Sequence, residues 1–181
     1  MIVNTIQEKA SKTKFGEQEF HLRVLIQRST MPFHEANITQ ALRQHAHTRG
    51  AELATADAQV TLTWAQLDAN VDAAAAQLLT AGVQAGDRIA ICLPDSVPTL
   101  TVILAVLRLG AVHAPIDVHL AAPEIEAAMQ AVQAQWHITG PGAGWSCQRT
   151  GIPAIPDPLA PQRSAFIRLT SGTTGMAKGV L

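Results

Sequence analysis

The chain has 181 residues, 13 Lys and Arg against 14 Asp and Glu for a formal charge of -1, and 48% hydrophobic residues. A unit of this size hides roughly 70% of its unfolded surface and needs no disulfide scaffold; the near-neutral balance excludes a broad basic footprint for nucleic acid and a polyacidic tail. Two cysteines, Cys92 and Cys147, stand without Cys-x-x-Cys spacing, which excludes a cysteine-rich metal site and favours a reducing, cytoplasmic setting.

Residues 1–30 hold Lys9, Lys12, Lys14, Arg23 and Arg28 against Glu8, Glu17 and Glu19, and the composition changes near Met31 and Pro32. This stretch reads as a poorly ordered leader, or as an over-called start with translation beginning at Met31. It builds no continuous apolar run of the kind a secretory signal or membrane span requires. Residues 31–181 then form one domain.

From Asn37 to His47, the spacing of Ile38, Ala41 and Leu42 predicts a short helix that Gly50 ends. His45 and His47, two apart on it, point in different directions, so no metal site is read there. Glu52 to Thr55 and Gln59 to Thr63 alternate as a hairpin with its bend at Asp57 and Ala58. Thr63 and Gln66 form a capping box ahead of Trp64, Leu67, Val71, Ala74, Leu78 and Leu79, which share one helical face, and Gly82 ends that helix in a left-handed conformation.

Strands and helices alternate after that point. Arg88 to Leu93 reads as a buried strand, Val97 to Leu109 as a helix apolar on nearly every side, and Ala111 to Ile116 as a second strand. Pro123 opens a helix whose Glu124 and Glu126 complement its dipole, and Trp136 to Thr139 is a third strand. Gly140 to Pro161 reads as a long surface connection with a brief strand near Ile152, and Ala165 to Leu169 as a fourth strand. Strands separated by helices of this length run mostly parallel, so the fold class is α/β, an open sheet with flanking helices. Cys92 and His113 are read as core residues, Trp136 and Trp145 as packing anchors, and Asp117 as a solvated turn residue.

The last strand empties into Thr170-Ser171-Gly172-Thr173-Thr174-Gly175-Met176-Ala177-Lys178-Gly179. Ligands of open α/β sheets bind beyond the carboxyl ends of strands, where this run falls. Its glycines let backbone N–H groups approach a ligand, four hydroxyls add donors, and Lys178 adds a positive point charge, a combination suited to a polyphosphate. It is not a Walker A sequence, because Gly179 follows Lys178 where Ser or Thr would hold magnesium. The competing reading is a flexible Ser/Thr/Gly loop with a solvated lysine.

With this loop the chain resembles the adenylate-forming enzymes: acyl-CoA synthetases, peptide-synthetase adenylation domains and luciferases. Thr170 to Lys178 is similar to their signature loop, with Ala177 where proline is common. Leu62-Thr63-Trp64-Ala65-Gln66-Leu67 and Val106 to Asp117 are similar, in order and spacing, to two upstream segments of that family, and Gly86-Asp87-Arg88-Ile89-Ala90 also fits.

The resemblance covers about residues 37–181. It implies an incomplete amino-terminal part of the adenylate-forming large domain, residues 31–181 being a partial AMP-binding domain. It also implies a reaction in which a carboxylate attacks the α-phosphate of ATP, with Mg2+, and the acyl group passes to a thiol, CoA being the expected acceptor and a fatty acid the expected substrate. Thr170, Ser171, Gly172, Thr173, Thr174 and Gly175 are the expected cradle, with Lys178 as the catalytic electrostatic clamp or loop anchor.

Family members continue for several hundred residues past this loop. The 181 residues alone are therefore expected to be inactive, in need of a complementing carboxyl-terminal part. A peptide-synthetase adenylation domain is the near alternative; a non-catalytic nucleotide-binding module or a decayed gene product is the alternative from another class.

Overall fold

A computed structural model of the chain describes residues 38–141, 144–154, 166–170 and 178–180. The leader assigned to residues 1–30 lies outside the described residues.

The first helix, α1, spans Ile38–Thr48, with Thr39 and Leu42 buried. Gly50 follows it for a reason other than a left-handed backbone: a Cβ there would stand 2.6 Å from the Ala46 carbonyl oxygen, so any side chain collides with the helix. Strands β1 (Leu53–Ala56) and β2 (Thr61–Thr63) pair antiparallel, with a bulge between Leu53 and Thr55.

Helix α2, Trp64–Ala81, starts on the predicted capping box: the Gln66 N–H donates to Thr63 Oγ1 at 3.3 Å and the Thr63 N–H donates to Gln66 Oε1 at 2.9 Å. It ends at Gly82, whose φ of 102° disfavours a side chain. Thr63→Ala is expected to lower stability by about 1 kcal/mol in urea unfolding, with Thr63→Ser close to the parent.

Strands β3 (Arg88–Cys92), β4 (Val112–Pro115), β5 (Trp136–Thr139) and β6 (Ser146–Arg149) make the main sheet in the order β4-β3-β5-β6. β3 runs parallel to both neighbours, and β6 closes the far side antiparallel to β5. Helix α3, Val97–Arg108, links β3 to β4, and α4, Ala122–Val132, links β4 to β5 across β3. The two crossovers travel in opposite directions along the sheet, so right-handed connection places their helices on opposite faces.

The core is divided accordingly. Ile89, Ile91, Trp136 and Ile138 pack against α1, α2 and α3 through Leu42, Leu67, Val71, Leu78, Val102 and Val106. Ala90, Cys92, Val112 and Ala114 pack on the other face against Ala128 and Val132 of α4. Among the described residues no helix is long and apolar enough to cross a membrane.

Two expectations need correction. In the connection after Gly140 the brief strand expected near Ile152 lies earlier, at Ser146–Arg149, and Ile152 is outside any strand. The strand expected at Ala165–Leu169 is displaced towards the carboxyl end; β7 is Arg168–Thr170, preceded by a single bridge between Phe166 and His113.

Candidate phosphate-binding site

The sequence nominates the segment from Thr170 to Lys178, and the backbone gives its two ends a defined relation. β7 pairs antiparallel with β8, Lys178–Val180, in the register Arg168 with Val180, Leu169 with Gly179 and Thr170 with Lys178. Directly opposed residues in such a ladder have Cα atoms about 4.5–5.5 Å apart. Thr170 and Lys178 are therefore paired across the ladder, at the ends of the two strands nearest the residues between them. Ser171, Gly172, Thr173, Thr174 and Gly175 lie outside the described residues.

The bridge between His113 and Phe166 is parallel, and the Ile167 N–H donates to the His113 carbonyl at 2.8 Å. The strand β7 thus runs in the direction of β4, and its Thr170 end points to the edge where β3, β4 and β5 finish. This is the ligand-binding edge of an open α/β sheet.

Rival anion sites on that edge are already engaged. Helix α3 begins there, but its first amides are taken: Val97 N–H donates to Asp57 Oδ2 at 2.8 Å and Thr99 N–H to Ser96 Oγ at 3.3 Å. Asp57 also accepts the N–H groups of Gln59 and Val60, each at 2.8 Å, and these three backbone donors hold its carboxyl below the usual range. At α4, Glu124 Oε2 accepts the Ala121 N–H at 2.8 Å and sets a negative charge where an anion would sit.

The remaining nominated residues sit as packing groups. Cys92 is buried, its Sγ 3.8 Å from the Asp117 carbonyl oxygen, and burial together with the Asp117 charge pushes its thiol up, away from reactivity. Asp117 caps its own turn, accepting the His119 N–H at 2.9 Å. His45 lies over Trp64 at 4.7 Å between ring centroids. Trp136 is buried and donates from Nε1 to Asp87 Oδ2 at 2.8 Å, with Arg149 stacked over its ring. Among the described residues no three His, Cys, Asp or Glu side chains are placed to hold a metal ion.

A cleft of about 290 Å³ opens between β2, α2 and the start of α3, lined by Leu62, Asn70, Gln77, Val97, Thr101 and Trp145 among others. The contribution of Asp57 and the seating of Phe166 on His113 escaped the sequence reading; both are contacts across 40 or more positions, for which the local pattern carries no signal.

Comparison with known proteins places the chain in a family. The AMP-binding enzyme family matches residues 42–155, more than half of the chain. A long-chain-fatty-acid–CoA ligase of Mycobacterium tuberculosis strain H37Rv is 30% identical over 173 residues, covering 80% of this chain and 34% of the ligase. Fumosorinone synthetase of Cordyceps fumosorosea is 29% identical over 167 residues, covering 81% of this chain and 4% of the synthetase. Among solved structures, the inhibitor-bound N-terminal domain of FACL13 from M. tuberculosis superposes with a TM-score of 0.62 at 28% identity, over 81% of this chain and 44% of that one. The chain thus spans about a third of the ligase relative and a small part of the synthetase.

Proposed function

Because the chain belongs to the AMP-binding enzyme family, whose members form adenylates, we propose that it supplies the phosphate-gripping amino-terminal part of an ATP-dependent acid ligase. In that reaction a carboxylate oxygen attacks the α-phosphorus of ATP and the bond to the bridging oxygen breaks. The products are an acyl-adenylate and pyrophosphate. Negative charge gathers on the leaving oxygens, and donors already aimed at them lower the barrier by stabilising charge as it forms. Thr170, Ser171, Gly172, Thr173, Thr174 and Gly175 are the proposed cradle and Lys178 the proposed clamp. Magnesium enters as the counter-ion of ATP, and we assign it no protein ligand.

The observation that carries this reading is the register of Thr170 opposite Lys178 at the carboxyl edge of the parallel strands β3, β4 and β5. A hydroxyl-bearing residue and a cation stand at the two ends of residues 170–178, while the neighbouring helix ends hold carboxylates. We propose a fatty acid as the substrate and CoA as the acceptor, supported by the ligase relative. A second reading, transfer to a carrier-bound thiol, is supported by the peptide-synthetase relatives, among them nonribosomal peptide synthetase 8 of Aspergillus fumigatus at 27% identity.

The test is equilibrium binding of inorganic pyrophosphate and of ATP to the 181-residue chain. Lys178→Ala is expected to weaken pyrophosphate about tenfold, the loss of one charge-assisted contact. Equal binding by parent and variant would sink the reading. Since these residues span a third of the ligase, the polypeptide tested alone should show little ATP-dependent pyrophosphate exchange with any acid.

A further inference from the structure

We propose that His113 is a positioning residue for the phosphate loop: its ring seats Phe166 and its carbonyl holds the Ile167 amide, which together fix the strand leading to Thr170 against β4. This rests on the reading of the loop given above.

The strand entering the loop meets the main sheet through a short contact. Phe166 bridges His113, the two rings stand 5.5 Å apart between centroids with their planes at 56°, and the Ile167 N–H reaches the His113 carbonyl at 2.8 Å. Tilted ring pairs at this separation are attractive. Successive residues of a strand point to opposite faces, and this pair uses both. Phe166 lies on the His113 ring, while Ile167, 2% exposed, is sunk among Ala90, Val112 and Ala114 on the other face. The two residues therefore clasp the edge of the sheet.

The clasp acts on a lever. Thr170 lies four residues beyond Phe166, about 13 Å along an extended chain, so a tilt of about 5° at the clasp carries it about 1 Å. An error of that size in a donor is costly to a site that works by alignment. β8 lies beside α4 and gives the hairpin a second rest, which limits lateral motion but leaves the tilt about Phe166 to His113. His113 is 6% exposed and belongs to the sheet, whereas Phe166 is 46% exposed. The ring of His113 is the fixed partner in the pair.

The experiment measures two quantities on the 181-residue chain and its variants: inorganic pyrophosphate affinity, and hydrogen exchange of the Ile167 amide against that of the Trp136 amide. His113→Ala is expected to weaken pyrophosphate binding about fivefold and to speed Ile167 exchange selectively, and His113→Phe, which restores a ring, to recover both. Phe166→Ala removes the exposed partner instead and is expected to match His113→Ala. It takes the place of His113→Ala should that variant fail to fold.

Faster Ile167 exchange with unchanged pyrophosphate affinity would overturn the positioning role, leaving a contact of structural value. Unchanged exchange and affinity in both alanine variants would overturn the clasp itself, and so would a His113→Phe variant as weak as His113→Ala. Failure of the parent chain to bind pyrophosphate would overturn the loop reading first and this inference with it. That result is distinguished from the others because it appears before any substitution is made.

Discussion

Removing both carboxylates that face Arg108, in the variant Asp68→Ala with Asp72→Ala, is expected to cost about 3 kcal/mol, the lower end of what stranding a buried charge costs. The Arg108 side chain is 2% exposed at the end of α3, with Nη2 at 2.5 Å from Asp68 Oδ1 and Nη1 at 2.6 Å from Asp72 Oδ1. Nη1 also reaches the Asp68 carbonyl at 3.3 Å, and Nε has no partner among the described residues.

The burial is asymmetric. Asp68 and Asp72 are 21% and 39% exposed, so water screens their side of the network and holds the cost near the bottom of the range. The reverse truncation should be far milder. Arg108→Met leaves two carboxylates that can turn to solvent and puts an apolar chain in an apolar place, so a loss of about 1 kcal/mol or less is expected. Asp72 keeps its exposed pair with Arg43, at 3.1 Å, in that variant. Urea unfolding of the two variants tests the asymmetry, and equal losses would show that the site is not held by charge compensation.

That network marks where the sequence stopped being legible. The capping box at Thr63, the glycine at 82 and the apolar face of α2 could be read because each is a relation between residues a few positions apart, and helix periodicity repeats that relation over several turns. β3 could be read because burial on both faces makes a nearly unbroken apolar run, and β4 and β5 because they stand as short segments between helices of ten or more residues.

Arg108 carries no such signal. It sits on a helix read as apolar on nearly every side, and its partners lie 36 and 40 residues earlier, spaced so that one face of α2 presents both. Asp57 is similar: as a hairpin bend it was legible, as the acceptor for the first amide of α3 it was not. Strand β6 was missed for another reason. Ser146, Gln148 and Arg149 are exposed on an edge strand, and Cys147 alone turns towards the core, so the alternation that identifies a strand spans a single residue. Of the candidate site, the sequence could nominate residues 170–178 by composition and order, whereas the pairing of Thr170 with Lys178 needed the backbone.

Acid should loosen the protein well above the range where carboxylates titrate, and His113 sets the window. It is buried, and loss of water from the charged ring drags its pKa from 6.5 down to about 4. The unfolded chain therefore binds this proton more readily than the folded one between those values. The stability associated with the neutral ring is complete above pH 6.5 and is lost as the pH falls towards 4, by about 3 kcal/mol over the window.

His137, whose pKa burial also lowers, adds a loss of the same sign. Glu52 and Asp57 act elsewhere: their carboxyls are held below the ordinary range by Arg49 and by backbone amides respectively, so their contributions vanish only at still lower pH. A series of urea midpoints from pH 7 to pH 4 should accordingly fall steadily in the parent. In His113→Phe it should fall by the smaller amount that His137 leaves. A flat parent curve across that interval would mean that the ring is solvated when charged, which its place between the sheet and Phe166 does not allow.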